Sequence, residues 1–493
     1  MESLQPGSLP LFLVVLAGLM VASALLSWPS QRAGVPAVLG FLALGIIAGK
    51  CGLGDLLSHT YRSSFNFGTV ALVLILFDGG LNTPRALLNR GLPPAAVLAT
   101  VGVVASAALF ALCSRLFDFS WEQAFLLGAI VAPTDAAAVF PILRGSGLQL
   151  KKPIATTLEL EAGLNDPVAV ALTIALSEAL AHHGGVSAKT AVVIAVALAF
   201  GLMIGLAVGY GGRLLLLYSH VMAGGLYPIM SLALAFFAFG LAAMADGSGF
   251  LAAYIAGLVL GNGALPYRAG ILRVHDAVAW LCQIALYLLL GSLPNTSELL
   301  TIAPAGVALA LFLAFVARPI SVAMCLLPFR YSMREILYIG WIGLRGAIPI
   351  VLATYPVMLG VTGARTMFNV VFFIVAVSTI VPGATVRWLT GRLGLKSDEQ
   401  PPPPALLEVI STRVLSGAEI LSFSINQSTA ACGARISELP LPPESTLILL
   451  IRDSEIIPPR GSTELRIDDH VYILCRPEDR PLVHLIFGHS EED

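Results

Sequence analysis

From about residue 10 to about residue 393 the chain repeats one pattern: a long apolar run, a short polar break, and another apolar run. A helix rising about 1.5 Å per residue needs about 20 such residues to cross the hydrocarbon layer of a bilayer. No water is available in that layer to satisfy backbone N–H and C=O groups, so each run must close its hydrogen bonds within itself. The pattern therefore predicts an all-α polytopic membrane protein with about 13 transmembrane helices. The runs fall near 10–28, 35–54, 65–82, 93–117, 121–142, 154–182, 188–217, 225–245, 248–264, 274–292, 298–328, 333–360 and 365–392. With 57 % hydrophobic and 12 % charged residues, a soluble fold is excluded, because too much apolar surface would meet water.

An odd number of crossings puts the two ends of this region on opposite sides. Alternate loops carry Arg32, Arg85, Arg90, Arg144, Lys151, Lys152, Arg213, Arg268, Arg273, Arg330, Arg334, Arg387, Arg392 and Lys396, against Lys50, Arg62, Arg115, Lys189 and Arg365 in the other set. Cytoplasmic loops carry the excess of Lys and Arg, so the N-terminus is expected outside and the C-terminus inside. The first run could serve as a cleaved signal, with small residues in VASALLS, but its leading segment carries Glu2 and no Lys or Arg, which favours retention. The six cysteines form no C-x-x-C pair and read as packing residues. A net charge of -2 does not point to a nucleic-acid partner.

The apolar runs stop at SDEQPPPPALL, where four prolines make a stiff extended segment. This divides the chain into a membrane domain at 1–396, a Pro-rich linker at 397–404 and a cytoplasmic domain at 405–493. Short alternating segments, ILSFSI, TLILLI, EIIPP and HVYIL, separated by PLPPES and RGSTE, predict a small α+β unit there. It holds no Gly-rich phosphate loop, so it reads as either a dimerisation module or a ligand-sensing one.

Ionisable groups inside a membrane cost roughly 2.5 to 3.5 kcal/mol each on insertion, which makes every one a functional candidate. The spans contain Asp78, Asp135, Glu159, Glu161, Asp166, Arg318 and Arg345. If its helix starts near Ile154, Asp166 lies about 18 Å in, close to the midplane. Glu161 and Asn165 share a face, four residues apart, while Asp166 points elsewhere and is free to face a cavity. In APTDAAAVFPIL, Pro133 and Pro141 predict a helix break near Thr134 and Asp135. GLRGAIPIVLATYP supplies a second break around Arg345, with Gly343, Gly346, Pro349 and Pro356.

Two interrupted helices in comparable places point to a midplane transport site built from inverted repeats. Asp135 would then neutralise a half-helix N-terminus and Arg345 a half-helix C-terminus. Each residue also has a plainer role. Asp135 could be structural, Glu161 could be half of a buried ion pair with Arg318 or Arg345, and Asp78 and Glu159 could sit at wet helix ends or in a funnel. Asp166 could be satisfied by neighbouring helices, although no cation in its own segment can pair with it.

At LFDGGLN, APTDAAAV, LELEAGLNDPVAV, DGSGFLAAYIAGLVLGN, VARPIS and GLRGAIPIVLA the chain resembles the monovalent cation/proton antiporters, in the electroneutral branch with an Asn-Asp pair, and in particular the NhaP-type potassium/proton antiporters. The tail, most clearly PPRGSTELRIDDHVYIL, is similar to the C-terminal (RCK-C, TrkA-C-like) subdomain found in regulators of potassium conductance. The resemblance implies 13 helices per protomer, a homodimer, a bacterial inner-membrane location, two broken helices that cross, and no cofactor. It implies that Asp166 carries the cation and the proton, with Asn165 its neighbour, Thr134 and Asp135 at the crossover, and Glu161 paired with an arginine that fits Arg318. Ala162 departs from relatives in which a Ser often sits there, which leaves the transported ion less defined. A small ligand, such as a nucleotide, or pH is implied as the signal for the tail.

A free aspartate, with a pKa near 3.9, would exchange no protons at neutral pH. Desolvation penalises its charged form, so a proton and a cation compete for one carboxylate. Asn165 does not titrate, so one cation is expected to exchange for one proton without net charge movement. Potassium is favoured because of the tail, with sodium or lithium the alternative. An intramembrane aspartyl protease using Asp135 and Asp166 would need a Gly before the Asp, which GLND lacks. A channel would need a filter sequence, and none is repeated here. A non-transporting sensor would not need Asp166. The expectation is a transporter rather than an enzyme.

Overall fold

The computed structural model describes residues 8–33, 36–50, 61–135, 143, 150–181, 188–219, 223–294, 296–396, 419–426, 429–452, 455–476 and 478–488. The linker at 397–404, Pro141 and Cys51 lie outside the described residues. The chain divides into two compact units, Met1–Asp398 and Glu399–Asp493.

The first unit is helical: α1 (Ser8–Ala33), α2 (Ala37–Ala48), α3 (Tyr61–Leu81), α4 (Arg85–Val97), α5 (Val103–Ser114), α6 (Trp121–Val131), α7 (Lys152–Ala181), α8 (Ala188–Tyr218), α9 (Leu226–Met244), α10 (Gly249–Gly261), α11 (Arg268–Ser292), α12 (Thr296–Phe312), α13 (Arg318–Leu326), α14 (Met333–Trp341), α15 (Ile348–Met358) and α16 (Ala364–Leu393). Among the described residues, eight helices are long and apolar enough to cross a membrane and five more are shorter and apolar. Val192, Val193, Val196, Met203 and Leu214 on α8 stay exposed. With lipid as the solvent on that flank, exposed Val, Met and Leu carry no penalty.

The same local design occurs twice. In the first copy α4 runs through a π turn, Leu98–Gly102, into α5, which tightens into a 3-10 turn at Arg115–Phe117. In the second, α12 runs through a π turn, Leu313–Ala317, into α13, which ends in a 3-10 turn at Leu327–Phe329. Each copy then reverses through one left-handed residue, Asp118 or Arg330. Each starts its next helix with a capping box, Ser120 with Gln123 before α6 and Ser332 with Glu335 before α14. The capping serine accepts a bond from an orphan N–H of the first turn, and the N3 side-chain oxygen accepts one from the serine's own N–H.

These capped helices are short. α6 has 11 residues and α14 has 9, about half of what a bilayer crossing needs. α6 stops before Pro133, as the proline predicts, and α14 stops before the glycine-flanked stretch 342–347. Pro349 sits in the first turn of α15, where its missing N–H costs nothing, and Pro356 is carried inside the helix instead of ending it.

The second unit is a four-stranded antiparallel sheet in the order β1-β4-β2-β3, formed by β1 (Glu419–Ser424), β2 (Thr446–Arg452), β3 (Glu455–Ile457) and β4 (His470–Cys475). α17 (Arg480–Phe487) covers one face, with Phe487 packed on Phe423. Asp469, fully buried, accepts two bonds from Arg452 at 2.7 Å each and one from the Arg466 N–H at 2.7 Å.

Candidate functional site

The centre of the membrane unit is α7. It has 30 residues, and Asp166 lies midway along it, about 21 Å from its first residue. Pro167 follows directly, and because proline has no N–H, the Gly163 carbonyl loses its helical partner beside the aspartate. Gly163 faces the ring of Tyr254 on α10 so closely that a Cβ there would overlap the ring. Asp166 is 7 % exposed, and among the described residues its carboxylate accepts no hydrogen bond and meets no cation.

One residue earlier, Asn165 is fully buried and turned to a different neighbour. Its Nδ2 donates to Thr134 Oγ1 at 2.9 Å and to the Thr134 carbonyl at 3.2 Å. Asn165 thereby ties α7 to the unwound chain after α6, which needs an external donor for that carbonyl because it lies outside a helix.

The two breaks meet. The N–H of Asp135 donates to the Leu344 carbonyl at 2.7 Å, bonding one unwound segment to the other. Arg345 Nε donates to the carbonyl of Val131, the last residue of α6, at 3.2 Å, and another of its nitrogens donates to the Gly343 carbonyl. The guanidinium thus sits where the dipole of α6 ends negative. Gly346, two residues before α15, is pressed against the Asp135 side chain, so the carboxylate lies beside the positive end of α15 and only a hydrogen fits between them.

Glu161 lies one turn before Asn165. Its Oε1 accepts from Arg318 Nη2 at 2.5 Å, and both side chains are 1 % exposed. Arg318 opens α13, and the Ser321 hydroxyl bonds the Arg318 carbonyl at 2.9 Å while lying 2.7 Å from Ser106 on α5. The pair ties α7 to α13, and the contact between Ser321 and Ser106 ties α13 to α5. Of the two arginines named from the sequence, Arg318 holds Glu161.

Asp78 and Glu159 are both half-buried. Asp78 accepts from Asn82 Nδ2 at 3.0 Å near the end of α3. Beyond it, Asn262 donates to the Thr83 carbonyl at 2.8 Å and accepts from the Arg85 N–H at 2.5 Å, closing the corner between α3, α4 and α10. Tyr254 and Asn262 escape the sequence reading, although the one phenol in the small-residue stretch GFLAAYIAGL was a usable signal.

Residues 19–392 of the chain, which include both breaks and Asp166, match the family model described as sodium/hydrogen exchanger, transmembrane. The chain belongs to the sodium/hydrogen exchanger family. A TrkA-C domain matches residues 420–488 of the same exchanger. It is 37 % identical over 97 % of its length, and 83 % of the relative's, to the K(+)/H(+) antiporter NhaP of Alkalimonas amylolytica. It is also 37 % identical over 98 % of its length, and 84 % of the relative's, to K(+)/H(+) antiporter NhaP2 of Shewanella oneidensis. Its fold is that of the sodium proton antiporter MjNhaP1 from Methanocaldococcus jannaschii, with a TM-score of 0.68 at 22 % identity over 78 % of this chain and 99 % of that one. The exchanger is a multi-pass membrane protein and a cation/proton antiporter, which places it among transporters and not enzymes.

Proposed function

We propose that this exchanger swaps potassium for protons, one for one and without net charge movement, with Asp166 as the only carrier. One observation carries the reading: a carboxylate midway along a 30-residue membrane helix, nearly buried, with no hydrogen bond and no opposite charge among the described residues. A bare carboxylate is poorly tolerated there, so the site holds either a proton or a metal ion. Thr134, whose carbonyl and hydroxyl are positioned by Asn165, supplies further oxygens, and hard monovalent cations favour oxygen ligands. Asp135 and Arg345 serve the two helix ends at the crossing, and Glu161 with Arg318 is structural. Asp78 and Glu159 belong to the funnel that leads to the site.

Asn165 cannot ionise, so no second proton is exchanged at the pair. The relatives named K(+)/H(+) antiporters support potassium over sodium or lithium. In the same reading the chain is a homodimer in a bacterial inner membrane, its N-terminus outside and its tail cytoplasmic. The corresponding turns of the two local copies carry Arg115 in one and Arg330 in the other, and these fall in opposite loop sets, which supports an inverted arrangement of the repeats. Residues 1–396 then form the transport domain, 397–404 the linker, and 405–493 a regulatory domain that binds a small ligand such as a nucleotide.

Proton flux in proteoliposomes, driven separately by potassium, sodium and lithium, tests the proposal. Potassium is expected to show the lowest apparent KM, and Asp166→Asn is expected to abolish flux with all three. Exchange at the normal rate in Asp166→Asn would overturn the reading. Sustained current on a solid-supported membrane would overturn one-for-one exchange alone, and a lower KM for sodium would overturn the choice of ion.

A further inference from the structure

Two hydroxyl side chains on α7 share the register of Asp166. Thr173 lies seven residues on and Ser177 eleven, which at about 100° per residue puts both within about 20° of the same line, roughly 10 and 16 Å further along the helix. Gly163 and Asn165 bracket this line, one against α10 and the other against the chain after α6, so it runs along the seam between those elements. Glu159 falls on it as well, seven residues before Asp166.

Both hydroxyls are fully buried, and among the described residues neither has a hydrogen-bond partner. That sets them apart from the buried helical hydroxyls around them. Thr157 bonds the Pro153 carbonyl at 2.8 Å, Thr354 the Val351 carbonyl at 2.6 Å, Ser378 the Val375 carbonyl at 3.0 Å and Thr390 the Val386 carbonyl at 2.8 Å. The same local bond is open to Thr173 and Ser177, and neither makes it. A buried hydroxyl left unbonded is costly, and two on one line require a reason.

Burial along the line is asymmetric. Before Asp166, Glu159 and Ala162 are half-buried; after it, Ala169, Val170, Thr173 and Ser177 are all closed off. Ala169 and Val170 form an apolar layer between the aspartate and the two hydroxyls. On the N-terminal side of Asp166 the line carries partly exposed side chains, and from Asp166 to Ser177 it is buried.

An alternating-access carrier must open each side in turn, and the side that opens needs a wall that water can wet. Hydroxyls suit a passing monovalent cation, since they replace part of its hydration shell without the full charge that would trap it. We infer that Thr173 and Ser177 line the half of the transport route that is buried in this structure, and bind the partly hydrated cation between Asp166 and the C-terminal end of α7. This rests on Asp166 being the carrier.

The test is potassium-driven proton flux in right-side-out and everted membrane vesicles, with the full chain and with Thr173→Val, Ser177→Ala and the double variant. None of these removes a hydrogen bond seen in the structure, so folding is not at risk from a lost partner. In the double variant the apparent KM for potassium is expected to rise about fivefold at the face served by the C-terminal end of α7, the scale of one lost oxygen ligand. At the other face it should not change, and Thr173→Ser should keep the native value at both. Unchanged KM at both faces, or an equal rise at both, would overturn the inference. If the hydroxyls were only packing, their apolar replacements would raise thermal stability and leave both KM values alone. Failure of the underlying reading is read separately, as continued exchange in Asp166→Asn.

Discussion

Breaking the pair between Glu161 and Arg318 should destabilise the exchanger more than almost any other single polar change. The two charges are 2.5 Å apart and 1 % exposed. At an effective dielectric of about 20 their attraction is about 7 kcal/mol, set against a desolvation penalty of several kcal/mol for each ion. Among the described residues Glu161 Oε2 and Arg318 Nε have no further partner, so the one bond between the charges gives the pair a modest net worth. Removing one partner is a different matter, because the other remains buried with its charge uncompensated, at about 3–5 kcal/mol. Glu161→Gln and Arg318→Met should each lower stability by that amount in denaturant-titrated unfolding of detergent-solubilised protein. The double variant should lose less than the sum, with an interaction energy of about 2 kcal/mol or more. If the two losses add to within about 0.5 kcal/mol, the pair is not coupled and its assignment as the tie between α7 and α13 is wrong.

Gly346→Ala places a methyl group against the Asp135 side chain at the crossing; we expect a stability loss of about 1–3 kcal/mol and turnover down about tenfold, measured as initial proton flux. Ser120→Ala and Ser332→Ala each remove a capping box and should cost about 1 kcal/mol apiece, additively, in the same unfolding assay. Arg452→Ala leaves Asp469 buried without its cation, and limited proteolysis of the full chain should show the tail cut at lower protease concentration while the membrane unit stays intact. On the acid side of the Asp166 titration, the apparent KM for potassium should rise about tenfold per pH unit, because proton and cation compete for one carboxylate; a KM independent of pH there would show separate sites.

What was legible in the sequence followed from two short-range rules. Apolar runs of membrane length must be helices, because lipid satisfies no backbone group. Pro133 and the glycines around Arg345 favour a stop there, because proline removes a backbone donor and glycine gives up the most freedom in a helix, although Pro167 and Pro356 are carried inside α7 and α15. The strands of the tail were readable for the same reason, as alternation bounded by turns. The meeting of the breaks was implied by the family resemblance and by no local rule: the bond from Asp135 to Leu344 joins residues far apart in sequence. Tyr254 was missed because its importance lies in Gly163, a residue on another helix that makes room for its ring.

The sequence by itself determined where the helices run, where two of them stop, and that a handful of charges lie inside the membrane. Which charge meets which was decided only by the tertiary structure. Arg318 takes Glu161, Arg345 takes the end of α6, Asn165 takes Thr134, and Asp166 meets no partner among the described residues. The physical reason is that helix formation is set by each segment's own backbone, whereas a buried charge is stabilised or stranded by whatever other segments bring within about 4 Å of it.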